Sequence, residues 1–219
     1  CHAQAMSPKE ACALLFLVGN KEQLCLVPNV HSAPQHQFRI DPLEVLVRVE
    51  QGHKLLAVIH SHVQGASVPT QHDLVMCEET AVPWHIYSLE DKSWTRFEPR
   101  GFKVPLMGRE FVMGVTDCYS LIRDYYNEKL GIQLLDFDRT DHFWDRGEPL
   151  YESNFSKTGF QRVTDAIRLN DLLLLKINCA VCNHAGVCVG KDLILHHAYG
   201  RVSGIQRMSG IWLRNLDIH

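Results

Sequence analysis

The sequence predicts an α/β fold followed by an α+β fold, and three observations carry this prediction. Helical patterns alternate with apolar, strand-like runs in the first half of the chain. The second half has one amphipathic helix followed by several short strand-like segments. The segment between the halves contains two Pro and two Gly without periodicity. We therefore expect a domain over residues 1–95, a linker over 96–108 and a domain over 109–219, although 219 residues also fit one large domain.

The composition favours a globular protein with an ordinary core and argues against several partners. Hydrophobic residues make up 46% of the chain, and the formal net charge is −3. A chain with this charge has no positive potential that would attract nucleic acid. No apolar run is long enough to cross a membrane. The N-terminus shows no secretory signal and does not begin with Met, which leaves open whether residues precede Cys1. Without a signal, the eight cysteines are expected to be mostly reduced, buried thiols.

Helix start and stop signals locate the elements of the first half. Pro near the start and an acid in the first turn predict a helix over residues 8–15. Asp41 as N-cap, Pro42 at the first position and Gly52 at the end predict a second helix. Apolar runs predict strands, and a capping pattern predicts a third helix. These strands cover residues 23–30, 54–62 and 84–89, and the third helix covers residues 70–81.

The second half opens with a helix predicted over residues 116–131. Leu121, Ile122 and Tyr125 fall on one side of it, and Gly131 ends it. Short apolar segments follow, with a turn around "GKD", and predict a small antiparallel sheet. Its predicted strands cover residues 171–177, 184–190, 193–199 and 210–215.

The stretch "IHSHVQGASVPTQHD" has the donor types of a metal site. His60 and His62 stand at positions i and i+2 of a predicted strand, so both imidazoles face the same side. Asp73, in the first turn of the next helix, would add a carboxylate and leave a fourth zinc position for water, as in catalytic sites. The competing explanations are that His-x-His arises by chance, that Thr70 and Asp73 form only a capping box, and that His72 is an exposed helix residue or a rival ligand.

The spacing favours a metal site over these alternatives. A His-x-His pair that is followed, after ten residues, by Asp resembles the JAMM motif of the MPN metallopeptidases. The resemblance covers about residues 1–95 and implies a cytidine-deaminase-like α/β sandwich that uses Zn²⁺. It implies Glu10 as the general acid/base, near the end of the first helix, and Thr70 as the residue that stabilises the oxyanion. Val63 and Thr70 depart from the usual Pro and Ser of the family. The implied zinc ligands are His60, His62 and Asp73.

A second set of reactive residues lies in the other half. Cys118 stands at the opening of the predicted helix, where the helix dipole and free N–H groups favour a thiolate. A nucleophilic thiolate needs a base and an orienting group. His184 lies on one predicted strand, and the following turn returns His196 and His197 beside it. The spacing leaves open which of the two faces His184, and a buried inert thiol is the simpler explanation for a lone cysteine.

This half resembles the NlpC-type papain-like cysteine peptidases at three points. They are an Asp-Cys pair at a helix start, a downstream His-x-Gly, and a further His twelve residues after the first His. The match runs over about residues 108–205. It implies Cys118 as nucleophile, His184 as general base and acid, and His196 as the residue that orients His184. The pair Cys179 and Cys182 forms a C-x-x-C, but without a second such pair a metal or redox use is not favoured.

The order of the two halves resembles tail assembly proteins of lambda-like bacteriophages. This resemblance implies a bifunctional peptidase that cleaves peptidoglycan peptides and binds other tail tip proteins, with no nucleic acid and no membrane span. The resemblance implies synthesis in the host cytoplasm, a final place at the virion tail tip, and delivery to the periplasm or cell wall as a further expectation. Two alternatives stay open: a structural component without turnover, and an isopeptidase that acts on protein conjugates.

Overall fold

The structure, a computed structural model, describes residues 1–218 of the chain. It divides into two compact units, the first over Cys1–Lys103 and the second from Val104 onward. Each unit has its own sheet and its own buried core. Within the described residues, no helix combines the length and the apolar character needed to cross a bilayer. All eight cysteines are free thiols, and most are buried, as predicted.

The first unit is built around a five-stranded mixed sheet. Its elements are α1 (His2–Met6), β1 (Cys12–Val18), β2 (Lys21–Val27), α2 (Pro42–Glu50), β3 (Lys54–His62), α3 (Gln71–Thr80), β4 (Trp84–Ser88) and β5 (Trp94–Phe97). The strand order is β2-β1-β3-β4-β5. β3 and β4 are parallel and are connected through α3, whereas the other neighbouring strands are antiparallel. Leu14, Phe16, Val58 and Trp84 contribute to the core of this unit.

The prediction of a helix over residues 8–15 is wrong, because Cys12–Val18 form strand β1. β1 pairs on both sides, with β2 and with β3, and a strand in this position is buried enough to carry an unbroken apolar run. The other predicted elements of this half are confirmed. Asp41 caps α2 and accepts a hydrogen bond from the Leu43 N–H at 3.0 Å.

The second unit combines helices with a five-stranded antiparallel sheet, as predicted. Its elements are α4 (Cys118–Tyr125), α5 (Leu150–Phe155), β6 (Leu172–Leu175), β7 (His184–Gly190), β8 (Leu193–His196), β9 (Gly204–Arg207), α6 (Ile211–Arg214) and β10 (Leu216–Ile218). The strand order is β10-β6-β7-β8-β9. A π-helical turn extends α4 to Leu130, and Gly131 ends it with a φ of +68°.

The prediction of a strand over residues 210–215 is wrong, because Ile211–Arg214 form the short helix α6. A run of consecutive apolar residues cannot distinguish helix from strand by periodicity. The predicted linker over residues 96–108 stays a prediction, although its first two residues belong to β5.

Glycine is required where β7 and β8 approach closely. A Cβ atom on Gly186 would lie 2.5 Å from Ile194 Cδ1 and 3.0 Å from the Leu195 carbonyl oxygen. Gly186 pairs with His196 in the ladder, so the absence of a side chain lets β8 come near to β7. This close approach brings β8, which carries His196, near β7, which carries His184.

Candidate metal centre and candidate thiol site

Strand β3 and the first turn of α3 bring three metal-ligating side chains to one point. His60 Nε2 lies 3.2 Å from His62 Nε2 and 3.3 Å from Asp73 Oδ1. His62 Nε2 lies 3.5 Å from Asp73 Oδ2. All three potential ligand atoms are within 4.8 Å of one another, and no other such group of His, Cys, Asp or Glu occurs within residues 1–218.

The protonation states of these side chains suit a divalent cation. His62 Nδ1 lies 3.1 Å from the Ala66 carbonyl oxygen, which only accepts, so Nδ1 carries the proton and Nε2 offers its lone pair. Burial lowers the pKa of His60, which keeps this imidazole neutral. Burial opposes ionisation of Asp73, yet hydrogen bonds to His60 and His62 hold its pKa below the usual range. Burial opposes protonation of His62, yet hydrogen bonds to Asp73 and Ala66 raise its pKa, so a metal ion at Nε2 would replace a proton there. Two imidazoles and one carboxylate form a donor set that fits zinc.

Aromatic side chains hold the imidazole of His60 in place. The ring of Phe38 stacks on it with centroids 4.3 Å apart, and the ring of Trp84 meets it edge-on at 5.7 Å. His60 is 2% exposed, and its Nδ1 atom is buried without a hydrogen-bond partner within the described part of the chain. Since the ring cannot turn away easily, Nε2 stays directed at His62 and Asp73.

Thr70 and Asp73 form the predicted capping box of α3. The Thr70 hydroxyl accepts the Asp73 N–H at 3.1 Å and donates to Asp73 Oδ2 at 2.8 Å. The Thr70 N–H also donates to Oδ2, at 2.8 Å. The box therefore orients the carboxylate, and in this conformation the hydroxyl hydrogen of Thr70 is used on Asp73.

Glu10 lies between α1 and β1, beside the three side chains, and is 6% exposed. Burial raises the pKa of its carboxyl group to about 7, with the charges of His62 and Asp73 acting in opposite directions. The adjacent Ala11 N–H donates to Ser61 Oγ at 2.8 Å, which ties this segment to β3 between the two histidines. A carboxyl group with this pKa can exchange protons near neutral pH.

Asn29 organises the segment between β2 and α2, which covers Glu10. Its Nδ2 group donates to the carbonyl oxygens of Glu10 at 3.2 Å, Pro34 at 3.4 Å and Gln37 at 3.1 Å. Its Oδ1 atom accepts the N–H groups of two further residues of the segment. One amide side chain therefore fixes both the covering segment and the backbone of Glu10.

His72 is not the exposed residue predicted from the sequence. Its side chain is half-buried, and burial lowers its pKa to about 4. The ring meets Phe38 edge-on at 6.4 Å, and its Nδ1 atom is buried with no hydrogen-bond partner among residues 1–218. The tertiary packing of α3 against the segment of Phe38 buries a residue that a surface-helix pattern would leave in water.

In the second unit, Cys118 is the first residue of α4 and is 2% exposed. Burial raises the pKa of its thiol to about 11, and the charge of Asp117 acts in the same direction. The prediction of a stabilised thiolate is therefore wrong for this conformation, because desolvation outweighs the effect of the helix start. Sγ lies 3.1 Å from Tyr151 Oη and accepts a hydrogen bond from the Ala185 backbone.

A pair of histidines lies on β7 and β8, the two strands that contact the helix of Cys118. His184 Nε2 and His196 Nδ1 are hydrogen-bonded at 3.0 Å, with the rings nearly perpendicular. Burial lowers the pKa of His184 to about 3 and that of His196 to about 4, so both are neutral near pH 7. His197 faces elsewhere, and its Nε2 atom donates to the Arg201 carbonyl oxygen at 3.0 Å. The structure therefore resolves the choice that the spacing leaves open.

Four side chains of this site are missing from the sequence prediction: Tyr151, Arg139, Trp212 and Gln206. Arg139 Nε donates to Asp117 Oδ2 at 2.6 Å, and both side chains are fully buried. Trp212 lies 4.3 Å from His196, ring centroid to ring centroid. No local motif marks these residues, because each contacts its partner through the tertiary fold.

Two domain families match the chain. The family Prok-JAB, prokaryotic homologs of the JAB domain, matches residues 1–98. The NlpC/P60 family matches residues 108–218. These matches confirm an N-terminal MPN-type fold and a C-terminal NlpC-type fold.

Two relatives resemble the chain along most of its length. "Tail tip assembly protein K" of Escherichia phage N15 is 30% identical over 214 residues, which cover 96% of this chain and 87% of the relative. The chain belongs to the tail tip assembly protein K family. The protein of the same name from Escherichia phage lambda is 32% identical over 169 residues, 77% of this chain and 82% of that protein. In this family, a JAB domain and an NlpC/P60 domain thus occur in one tail tip assembly protein.

A third relative matches a shorter stretch than the tail tip assembly proteins do. The "Probable TtuB-protein conjugate cleaving protease" of Thermus thermophilus is 32% identical over 77 residues. These cover 33% of this chain and 52% of that protein. This similarity bears on part of the chain only.

Proposed function

We propose that this tail tip assembly protein is a bifunctional peptidase. Its thiol site hydrolyses peptide bonds of peptidoglycan, and its zinc site hydrolyses an amide in a second substrate, either a wall peptide or a tail protein. The observation that carries the proposal is the hydrogen-bonded pair His184–His196, on strands that pack against the helix of Cys118. The NlpC/P60 and JAB families support peptidase activity in both units.

At the thiol site, we assign Cys118 as nucleophile, His184 as base and acid, and His196 as the residue that orients His184. Cys118 Sγ bonds to the carbonyl carbon of the scissile peptide while its proton passes to His184. The C–N bond then breaks, and His184 returns the proton to the leaving amine. Water attacks the resulting thioester as His184 takes its proton, and the acid departs as the thiol re-forms. Because the buried thiol holds its proton, His184 removes that proton during the attack.

At the other site, His60, His62 and Asp73 are proposed to bind Zn²⁺. Zinc, when bound, supplies a Lewis acid that lowers the pKa of a water molecule to roughly 7. We assign Glu10 to receive and return the proton, and the pKa of its carboxyl group, which burial raises to about 7, supports this role. Thr70 is proposed to support the oxyanion, which requires its hydroxyl hydrogen to leave Asp73.

One comparison of variants tests both sites. We expect Cys118→Ala to abolish cleavage of purified wall peptides while zinc content stays equimolar, and His60→Ala to abolish zinc binding while that cleavage persists. Cys179→Ala and His36→Ala serve as matched controls, because they remove a thiol and an imidazole outside both sites. Persistent cleavage by Cys118→Ala, or absence of zinc from the native protein, would contradict the corresponding half of the proposal.

The conjugate-cleaving relative favours a second candidate function, isopeptidase activity of the first unit. A screen of the purified chain against wall peptides and against conjugates of ubiquitin-like proteins separates the two. Cleavage of conjugates that disappears in His60→Ala would assign this activity to the zinc site.

The family supports a place at the virion tail tip, and other tail tip proteins are the proposed partners. Synthesis in the host cytoplasm and delivery to the cell wall belong to the same proposal. A purely structural role is the alternative, and it predicts that Cys118→Ala tails fail to assemble although the native protein hydrolyses nothing.

A further inference from the structure

Gln206 and Trp212 form a polar contact directly beside the histidine pair of the thiol site. Trp212 Nε1 donates to Gln206 Oε1 at 3.0 Å. The indole ring lies 4.3 Å from the His196 ring and 5.5 Å from the His184 ring, centroid to centroid. Gln206 belongs to β9 and Trp212 to α6, so neither comes from the elements that carry the proposed nucleophile and base.

The contact with Trp212 determines which amide atom Gln206 presents. An indole N–H group is only a donor, so the atom facing it must be the amide oxygen of Gln206. The oxygen has two lone pairs, and the indole occupies one of them. Gln206 therefore offers a hydrogen-bond acceptor to a further neighbour.

The ladder between β8 and β9 places that acceptor near His196. Gln206 pairs with Ile194, and His196 pairs with Gly204, so the two side chains are diagonal neighbours on one face. Gly204 has no side chain that could separate them. Burial lowers the pKa of His196 to about 4, and a hydrogen bond to the Gln206 side chain works against that shift.

We infer that Gln206, held by Trp212, is a positioning residue that fixes the tautomer of His196 and thereby directs His184 as a base. His196 uses Nδ1 toward His184, so the nitrogen left for the Gln206 oxygen is Nε2, which must carry the proton. His196 Nδ1 then accepts the Nε2–H of His184. The proton of His184 is thus on Nε2, and its Nδ1 keeps a lone pair for the thiol proton of Cys118. Only this last step depends on the proposed function.

The test uses the full chain with ¹⁵N-labelled histidine, and NMR reports the tautomer of His196 near pH 7.5. Gln206→Met removes the acceptor at similar size, whereas Gln206→Glu keeps an acceptor. We expect the Nε2–H form of His196 to dominate in the native chain and in Gln206→Glu, and a mixture in Gln206→Met. Because Gln206 is exposed, these variants should fold normally.

Enzyme kinetics provides the second readout. We expect kcat/KM for wall peptide to fall roughly tenfold in Gln206→Met through kcat, with KM unchanged, and to recover in Gln206→Glu. Trp212→Phe keeps a ring and loses the N–H, and combined with Gln206→Met it should cause no additional loss. Arg207→Gln, on the same strand, is the matched control.

A native His196 with its proton on Nδ1, or a Gln206→Met chain with an unchanged tautomer, would overturn the inference. Equal loss of kcat/KM in Gln206→Glu and Gln206→Met would also overturn it. If the native chain hydrolyses no wall peptide, the proposed function fails, while the tautomer measurement still decides the role of Gln206.

Discussion

The two candidate sites each contain a buried carboxylate, and they compensate its negative charge in different ways. Asp73 of the metal centre contacts the imidazoles of His60 and His62, and the described residues give it no Arg or Lys partner. Asp117, beside the thiol, is paired at 2.6 Å with the fully buried guanidinium of Arg139. The first arrangement has no permanent positive charge beside the carboxylate, and the second is neutral as a pair.

This difference indicates what each site requires before it can act. A buried carboxylate without an Arg or Lys partner lacks a permanent positive charge, which a divalent cation would supply. The thiol site needs no added charge, but its nucleophile is protonated and enclosed in contact with Tyr151. The first unit is therefore expected to depend on a metal ion for stability, and the second on its internal ion pair.

The largest expected effect comes from breaking that ion pair. Arg139→Met leaves Asp117 buried without its cation and should destabilise the second unit by about 3–5 kcal/mol. Urea unfolding followed by circular dichroism measures the loss. Arg146→Met is the matched control, because its exposed pair with Glu148 is screened by water and should contribute little to stability. Equal losses in both variants would remove the distinction between the two carboxylates.

The metal dependence of the first unit should be smaller but specific. Zinc at about a hundred times its Kd should stabilise that unit by roughly 2.7 kcal/mol. Hydrogen exchange, read by mass spectrometry, should slow in peptides from β3 and α3 and stay unchanged in peptides from β7 and β8. Addition of EDTA should reverse the effect. Uniform protection of both units would contradict a site confined to the first.

The smallest effect is a pH dependence of the second unit between pH 7 and 6. In this window the unfolded chain begins to protonate His184 and His196, which the folded chain keeps neutral because burial lowers both pKa values. Stability should therefore fall as the pH decreases, by roughly 0.7 kcal/mol for each histidine over this window. Unfolding in urea at several pH values measures the slope, and His196→Asn should reduce it by about half. An unchanged slope would assign the pH dependence to other groups.

The sequence correctly predicts the features that depend only on the local geometry of a strand or a helix start. His60 and His62 share a face because strand residues alternate, and Thr70 and Asp73 form a box because helix starts leave free N–H groups. Cys118 at a helix start follows from the same signals. Local residue patterns alone are therefore enough to place each of these side chains on its element.

Contacts between segments that are distant in the chain cannot be predicted from local residue patterns. The apolar run of β1 suits a helix or a buried strand equally, and only pairing on both sides decides. Arg139 and Tyr151 meet Asp117 and Cys118 across loops that carry no periodicity. The protonation of Cys118 depends on burial, which the position of a residue in a helix does not reveal.

The segment that Asn29 fixes has a consequence for how such chains diverge. This segment contains no helix or strand, and one amide side chain bonds several of its backbone groups. Phe38 anchors the segment by stacking on His60, whereas substitutions at its exposed positions should cost little. An exchange of Asn29 to Asp, which looks conservative, would remove every side-chain donor and the hydrogen bond to the Glu10 carbonyl oxygen. The Glu10 N–H would keep its bond to the Pro34 carbonyl oxygen. We therefore expect sequence drift to be restricted at position 29.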